Sequence, residues 1–315
     1  MRSYIIRRCV QLIPILIGIT FLSFAMMRIA GSDAVLQKYE QTGMVVSQAV
    51  IDAERARLGL DQPFFTQYIT WLGQLLTGNM GISYVSGKPI FPTFISKLPA
   101  TLALTVASLG LTIVISIPLG IVAAIYKNKP IDYLIRFCSF CGNSMPNFFM
   151  ALVLMYIFAI RLGLFPVITD KLSIESITLP AVTLAIAMSA KYLRQVRATV
   201  LDELQKPYVL GAKARGIPFR WTLWRSVLRA SLVTIITLLA LSMGSLLGGT
   251  AIIESIFMWD GVGKLAVDAI MTRDYPMIQA YVVWMALIYV GINLVADISY
   301  RFLDPRIRLR GGEKS

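Results

Sequence analysis

A chain of 315 residues with 57% apolar and only 15% charged residues lies far from a soluble domain, which is about half apolar and about a quarter charged; its mean hydropathy of +0.70 excludes a fold that must hide all that surface from water. The net charge is +13 and there is no histidine, which excludes Ser-His and Cys-His nucleophile pairs, imidazole-held metals and the usual physiological-pH switch. Three cysteines, Cys9, Cys138 and Cys141, are too few for a disulfide scaffold.

Six stretches carry no Asp, Glu, Lys or Arg: residues 9–27, 98–126, 137–160, 176–190, 230–253 and 275–296. A bilayer core needs about 20 apolar residues in a helix. Five runs meet that length, and the fourth is short. Charge placement decides the fourth. Arg2, Arg7 and Arg8 precede the first run, and Lys127 and Lys129 follow the second. Nine cations lie between the fourth and fifth runs, and Arg301, Arg306, Arg308, Arg310 and Lys314 follow the sixth. Only six crossings put all four clusters on the cytoplasmic side. The fourth span is therefore expected to run past Lys191, whose ammonium can snorkel to the interface. The first run has the basic start and small-residue end of a signal peptide, but it is longer than a signal core and is read as an uncleaved helix.

The expected organisation is all-α, a polytopic membrane protein with six transmembrane helices. Residues 1–30 form a cytoplasmic N-terminus and the first helix, and 31–97 a small external lobe on the periplasmic side. Residues 98–304 form a five-helix transmembrane core with a cytoplasmic loop at 200–230, and 305–315 a cytoplasmic tail. Both termini are cytoplasmic in this reading. Within the lobe, 51–60 reads as a short helix ending before Gln62-Pro63. Residues 68–76 read as an amphipathic helix with Tyr68, Trp71, Leu72 and Leu75 at helical spacing. In the last external loop, Asp260-Gly261 marks a turn, 264–271 reads as a short helix, and Pro276 fits the first turn of the sixth span.

The internal loop carries the sharpest local signal. Pro207 suits the first position of a helix, and Gly216 the residue just past its end. Between them fits a helix of about two turns. Its small residues Gly211, Ala212 and Ala214 admit a close surface. Two readings stay open from the loop alone: a basic helix on anionic membrane lipid, or a helix fitted to a groove in a cytoplasmic partner.

Ala212 followed by three residues and Gly216 is similar to the EAA signature of ABC importer permeases, and residues 208–216 resemble the form found in permeases for dipeptides, oligopeptides and nickel. Further strings resemble the same branch: Leu58-Gly59-Leu60-Asp61-Gln62-Pro63, Gly78-Asn79-Met80-Gly81-Ile82-Ser83, Ser144-Met145-Pro146-Asn147-Phe148, Phe257-Met258-Trp259-Asp260-Gly261-Val262-Gly263, Arg273-Asp274-Tyr275-Pro276 and Leu303-Asp304-Pro305-Arg306-Ile307-Arg308. Three positions depart from the pattern. Leu210 stands where the signature opens with Glu, Arg229 where it closes near a proline, and Asp260 where proline usually precedes Gly261.

The resemblance implies a permease subunit of a binding-protein-dependent importer, of the type I permease fold. It would pair with a second, homologous permease, two ATP-binding subunits and an extracytoplasmic substrate-binding protein. The implied cargo is a di- or oligopeptide, nickel or another metal chelate. Pro207, Tyr208, Ala212, Ala214 and Gly216 would couple to the ATPase. Asp274 and Tyr275 are candidates for external docking. Ser242, Gly244, Ser245, Gly248 and Gly249 form overlapping small-residue patterns (Gly244/Gly248 and Ser245/Gly249) that suit helix packing or a translocation path equally, with Ser242, Ser245, Gly248 and Gly249 the candidates for the path. No catalytic residue, cofactor, metal set or nucleic-acid partner is called for. No Walker-type phosphate loop occurs, so ATP hydrolysis falls to other subunits.

Several features have plain readings. Cys138 and Cys141 read as packing rather than metal or redox chemistry. Glu254 reads as an interfacial, solvated end to the fifth span, and Asp297 and Arg301 as a surface pair. Pro146 and Pro180 are expected to kink their spans. The rival class is a self-contained secondary carrier or channel, which the charge-free span centres disfavour for ion-coupled carriers.

Overall fold

The computed structural model describes residues 2–30, 35–36, 39, 46–57, 59–168, 173–232, 235–236, 246 and 250–303. Among these the chain is helical, and an isolated antiparallel bridge joins Ile82 to Pro89. The elements are α1 (Arg2–Ala30), α2 (Gln48–Arg57), α3 (Phe64–Leu76), α4 (Ile90–Ile125), α5 (Pro130–Ser144), α6 (Asn147–Leu154), α7 (Ile174–Leu204), α8 (Pro207–Ala214), α9 (Phe219–Thr222), α10 (Ala251–Ile256), α11 (Val262–Met271) and α12 (Tyr275–Leu303). Wider π-helical turns continue α6 over Met155–Arg161 and α9 over Leu223–Val227.

Four helical stretches are long and apolar enough to cross a bilayer: Val10–Ile29, Ile90–Ile125, Ile174–Leu204 and Tyr275–Val295. They match the first, second, fourth and sixth expected spans. The fourth runs past Lys191 to Leu204 and carries Pro180 inside it. Its start is capped, because the Ser173 hydroxyl oxygen accepts the Ser176 N–H at 3.1 Å. The third expected span is α5 with α6, bent by 101°. Pro146 explains the break: it holds Met145 in extended backbone and caps α6. Most of the fifth expected span, with Ser242, Ser245, Gly248 and Gly249, lies outside the described residues, as do the side chains of Asp297 and Arg301.

The chain forms two compact units. The first holds Met1–Pro99 and Gly261–Val290. Here α1 meets α3 through rings: Phe24 lies 5.4 Å from Phe64, 5.6 Å from Tyr68 and 5.5 Å from Trp71. Each such pair adds about 0.5–1.5 kcal/mol beyond area burial. The Tyr68 hydroxyl shares a 3.0 Å hydrogen bond with Thr20. A second apolar cluster gathers Met80, Ile90, Ala269, Met277 and Ala280, and the Trp284 indole stacks on Phe94 at 5.8 Å.

The second unit holds Ala100–Asp260 and Gly291–Ser315. Its core is the antiparallel pair α5 and α7 against α4. Gly120 permits the closest approach: a Cβ there would stand 2.7 Å from the Val196 side chain and 3.0 Å from the Leu193 carbonyl. One face of α4 carries Thr101, Thr105, Ser108, Thr112 and Ser116, all buried. Thr105, Ser108 and Thr112 donate to carbonyls one turn back at 2.7–2.8 Å, so these hydroxyls cost little inside an apolar bundle. This stripe has a readable spacing, and the sequence reading passed over it.

Candidate coupling site

α8 is built by local rules. Lys206 is extended and Pro207 takes the first helical position, where a missing N–H costs nothing. At the other end Gly216 has φ +74°. Its N–H donates to the Lys213 carbonyl at 3.0 Å, and the Ile217 N–H donates to the Ala212 carbonyl at 3.1 Å. This is a Schellman cap, and glycine is the residue that adopts its left-handed position without strain.

Two side chains tether the helix to the end of α7. The Tyr208 hydroxyl donates to Glu203 Oε2 at 3.0 Å, and Lys206 pairs with Glu203 Oε1. Burial first, then the neighbouring Glu203 carboxylate, pushes the Tyr208 phenol up to about 12. It therefore stays a donor throughout the physiological range. Glu203 lies near the end of α7, four residues before Pro207, so the tether is local.

The helix divides into two faces. Val209 packs against the cluster of Tyr192, Val196, Val200, Leu223 and Val227, and Ala212 is buried. Leu210, Gly211, Lys213 and Ala214 face out. Of the five predicted coupling residues, Ala212 is thus turned inward, while Pro207, Tyr208, Ala214 and Gly216 are exposed. Just beyond, Phe219, Trp221 and Trp224 are 51–70% exposed, beside exposed Arg220 and Arg225. An apolar and basic surface of this kind suits a protein partner better than bulk water. The sequence reading did not pick out these aromatics, although Phe, Trp and Trp at spacings of two and three are visible in it.

The strings around Ser83 and Asp274 close on each other instead. Asp274 is buried. It accepts the Ser83 hydroxyl and, at 3.1 Å, the Tyr84 N–H. Tyr275 is half-buried at the start of α12. In the second unit Glu254 is fully buried, not solvated at an interface as its place in the sequence implied. The Thr101 hydroxyl donates to it at 2.8 Å. Close by, the Trp259 indole N–H donates to the Ala100 carbonyl at 2.9 Å. Cys138 is exposed and Cys141 half-buried, both as free thiols. Among the described residues no group of acidic or sulfur ligands is placed to hold a metal.

The model for the binding-protein-dependent transport system inner membrane component matches residues 116–309, and the model for the N-terminal part of such membrane components matches residues 1–105. The chain belongs to this family. It is 39% identical to the oligopeptide transport system permease protein AppB of Bacillus subtilis (strain 168), over 98% of this chain and 99% of that protein. It is 33% identical to the glutathione transport system permease protein GsiC of Escherichia coli (strain K12), over 98% and 100%. Among solved structures, an inward-facing MetNI methionine ABC transporter matches with a TM-score of 0.60 at 14% identity, covering 68% of this chain and 98% of that one. That likeness speaks to the fold alone, which is that of type I importer permeases. The permease is a multi-pass inner-membrane protein and an ABC importer subunit of the peptide branch.

Proposed function

We propose that this permease forms half of the path by which an importer carries short peptides into the cell. A second, homologous permease supplies the other half. Two ATP-binding subunits dock on α8 and its counterpart, and an extracytoplasmic binding protein delivers cargo. Both termini lie in the cytoplasm, and ATP is hydrolysed by the docked subunits and not by this chain. ATP binding draws those subunits together, α8 moves with them, and the cavity switches its opening.

The observation that carries the reading is the construction of α8. It opens on Pro207, is closed by the Gly216 cap, is tethered through Tyr208 to Glu203, and carries exposed Leu210 beside exposed Phe219, Trp221 and Trp224. A rigid helix with an outward apolar face transmits force; a loose loop does not. Peptides are favoured as cargo by the oligopeptide and glutathione permeases among the relatives. A nickel or other metal chelate stays within the same proposal only if the binding protein holds the metal, since this chain has no histidine. In the external region, Asp274 is engaged with Ser83 and Tyr84, so docking of the binding protein falls to the exposed neighbour Arg273 and to Tyr275.

The test is purification of the tagged chain from membranes in mild detergent, followed by peptide-stimulated ATPase assay of what accompanies it. A second permease and an ATPase are expected. Gly216→Asp should abolish peptide stimulation while the chain stays in the membrane. Recovery of the chain alone, or unchanged stimulation in the variant, would overturn the role given to α8.

A further inference from the structure

We propose that the groove between α5 and α7 binds the phosphate headgroup of an anionic phospholipid. The groove has a volume of about 550 Å³ and is lined by Tyr133, Arg136, Phe137, Phe140, Asn143 and Arg194. All six belong to the second unit. Tyr133, Phe137 and Phe140 follow one another at spacings of four and three, which puts them on one face of α5. They are 54%, 65% and 68% exposed. The Arg136 guanidinium sits 4.7 Å over the Tyr133 ring, and an Arg194 Nη1 lies 3.5 Å from the Ser139 hydroxyl.

Charge bookkeeping selects the ligand. Along α5 and the facing stretch 191–197 of α7 stand the cations Arg136, Lys191, Arg194 and Arg197 against a single carboxylate, Asp132. Asp132 is fully buried and already engaged. Arg197 donates to both of its oxygens, at 2.8 and 2.7 Å, and the Asn128 N–H donates at 2.9 Å. Arg136 forms only a longer ion pair with it, at 3.7 Å. Asp132 is thus shared between two arginines, and the Arg136 guanidinium keeps donors for a further anion. Arg136 lies about 9 Å along the helix from Pro130, toward the end of α5 that follows Lys127 and Lys129. A phosphodiester satisfies a guanidinium fork. The acyl chains then run over Phe137 and Phe140, which a hydrated soluble anion would leave uncovered.

The test uses the full chain, purified with the subunits that accompany it, delipidated and titrated with phosphatidylglycerol or phosphatidylcholine under native mass spectrometry. Phosphatidylglycerol is expected to bind preferentially. Arg136→Gln with Arg194→Gln should weaken it roughly thirtyfold, as two interfacial charges predict. Arg220→Gln, in the loop, should leave it unchanged. Should the double variant fail to fold, a benzoylphenylalanine at Phe140 in the otherwise unchanged protein decides the matter, with crosslinked phospholipid expected. Equal binding of the two lipids, full retention by the double variant, displacement by millimolar inorganic phosphate, or crosslinking to a second permease would each overturn the assignment.

Discussion

Two regions of this permease treat their most recognisable motifs in opposite ways. Asp274 sits in a string that stands out in the sequence and Glu254 at the end of a charge-free run, yet both carboxylates are buried and engaged within their own units. By contrast, the string around α8 and the residues just after it leave Leu210, Phe219, Trp221 and Trp224 uncovered. A motif whose polar groups are consumed internally acts as a clasp. A motif that satisfies its backbone locally and leaves apolar side chains outward acts as a contact surface. Equal prominence in the sequence therefore does not mean equal availability to a partner.

The contrast breaks most readily at Trp259. Trp259→Ala empties a site beside Ile253, Phe257 and Leu104 and should lower unfolding stability by about 3–5 kcal/mol, read from thermal unfolding in detergent. Trp259→Phe, which keeps a ring and loses the bond to Ala100, should cost only about 1 kcal/mol. Asp274→Ala comes next. It strands the Ser83 hydroxyl and the Tyr84 N–H, and a loss of about 2 kcal/mol is expected, largely recovered in Asp274→Asn. Equal stability in Asp274→Ala would remove the clasp.

At α8 the order of effects should reverse. Gly216→Ala meets no neighbour and costs about 1–2 kcal/mol through its left-handed backbone alone, but it should depress peptide-stimulated ATPase activity more than Asp274→Ala does. Leu210→Ala should change stability by less than about 0.5 kcal/mol and still reduce that activity. A melting shift as large as that of Trp259→Ala would mean that Leu210 is packed rather than presented. The smallest effect is expected of Tyr208→Phe. The raised phenol pKa, about 12 against an ordinary 10, means that the folded state holds its proton where the unfolded state releases it. Its contribution is full below pH 10 and fades as pH rises toward 12. The activity ratio of Tyr208→Phe to the parent protein should therefore stay flat from about pH 6 to pH 9.

What was legible in the sequence was what depends on near neighbours. Pro207 and Gly216 mark α8 because caps are settled within a turn or two of chain, and Val262–Met271 forms where the Asp-Gly turn places it. The charge rule found the helix through Lys191 for the same reason: interfaces act on each residue locally. Glu254 was misread because its partner, Thr101, lies 153 positions away. The Asp274 clasp was equally hidden, with Ser83 191 positions distant. Gly120 gave no signal at all, since its value lies in a contact with Val196 on another helix. The kink expected at Pro146, by contrast, is local in origin, and it is a bend of 101°.

That bend sets a condition on solvent. α5 is 15 residues long, about 22 Å of helix, too short to traverse about 30 Å of hydrocarbon. The opening N–H groups of α6, at Asn147, Phe148 and Phe149, point into the elbow with no acceptor inside their own helix. Hydrocarbon offers them none either. An elbow lying in hydrocarbon would therefore have to be wet or covered by protein, a requirement set by the backbone and not by any side chain.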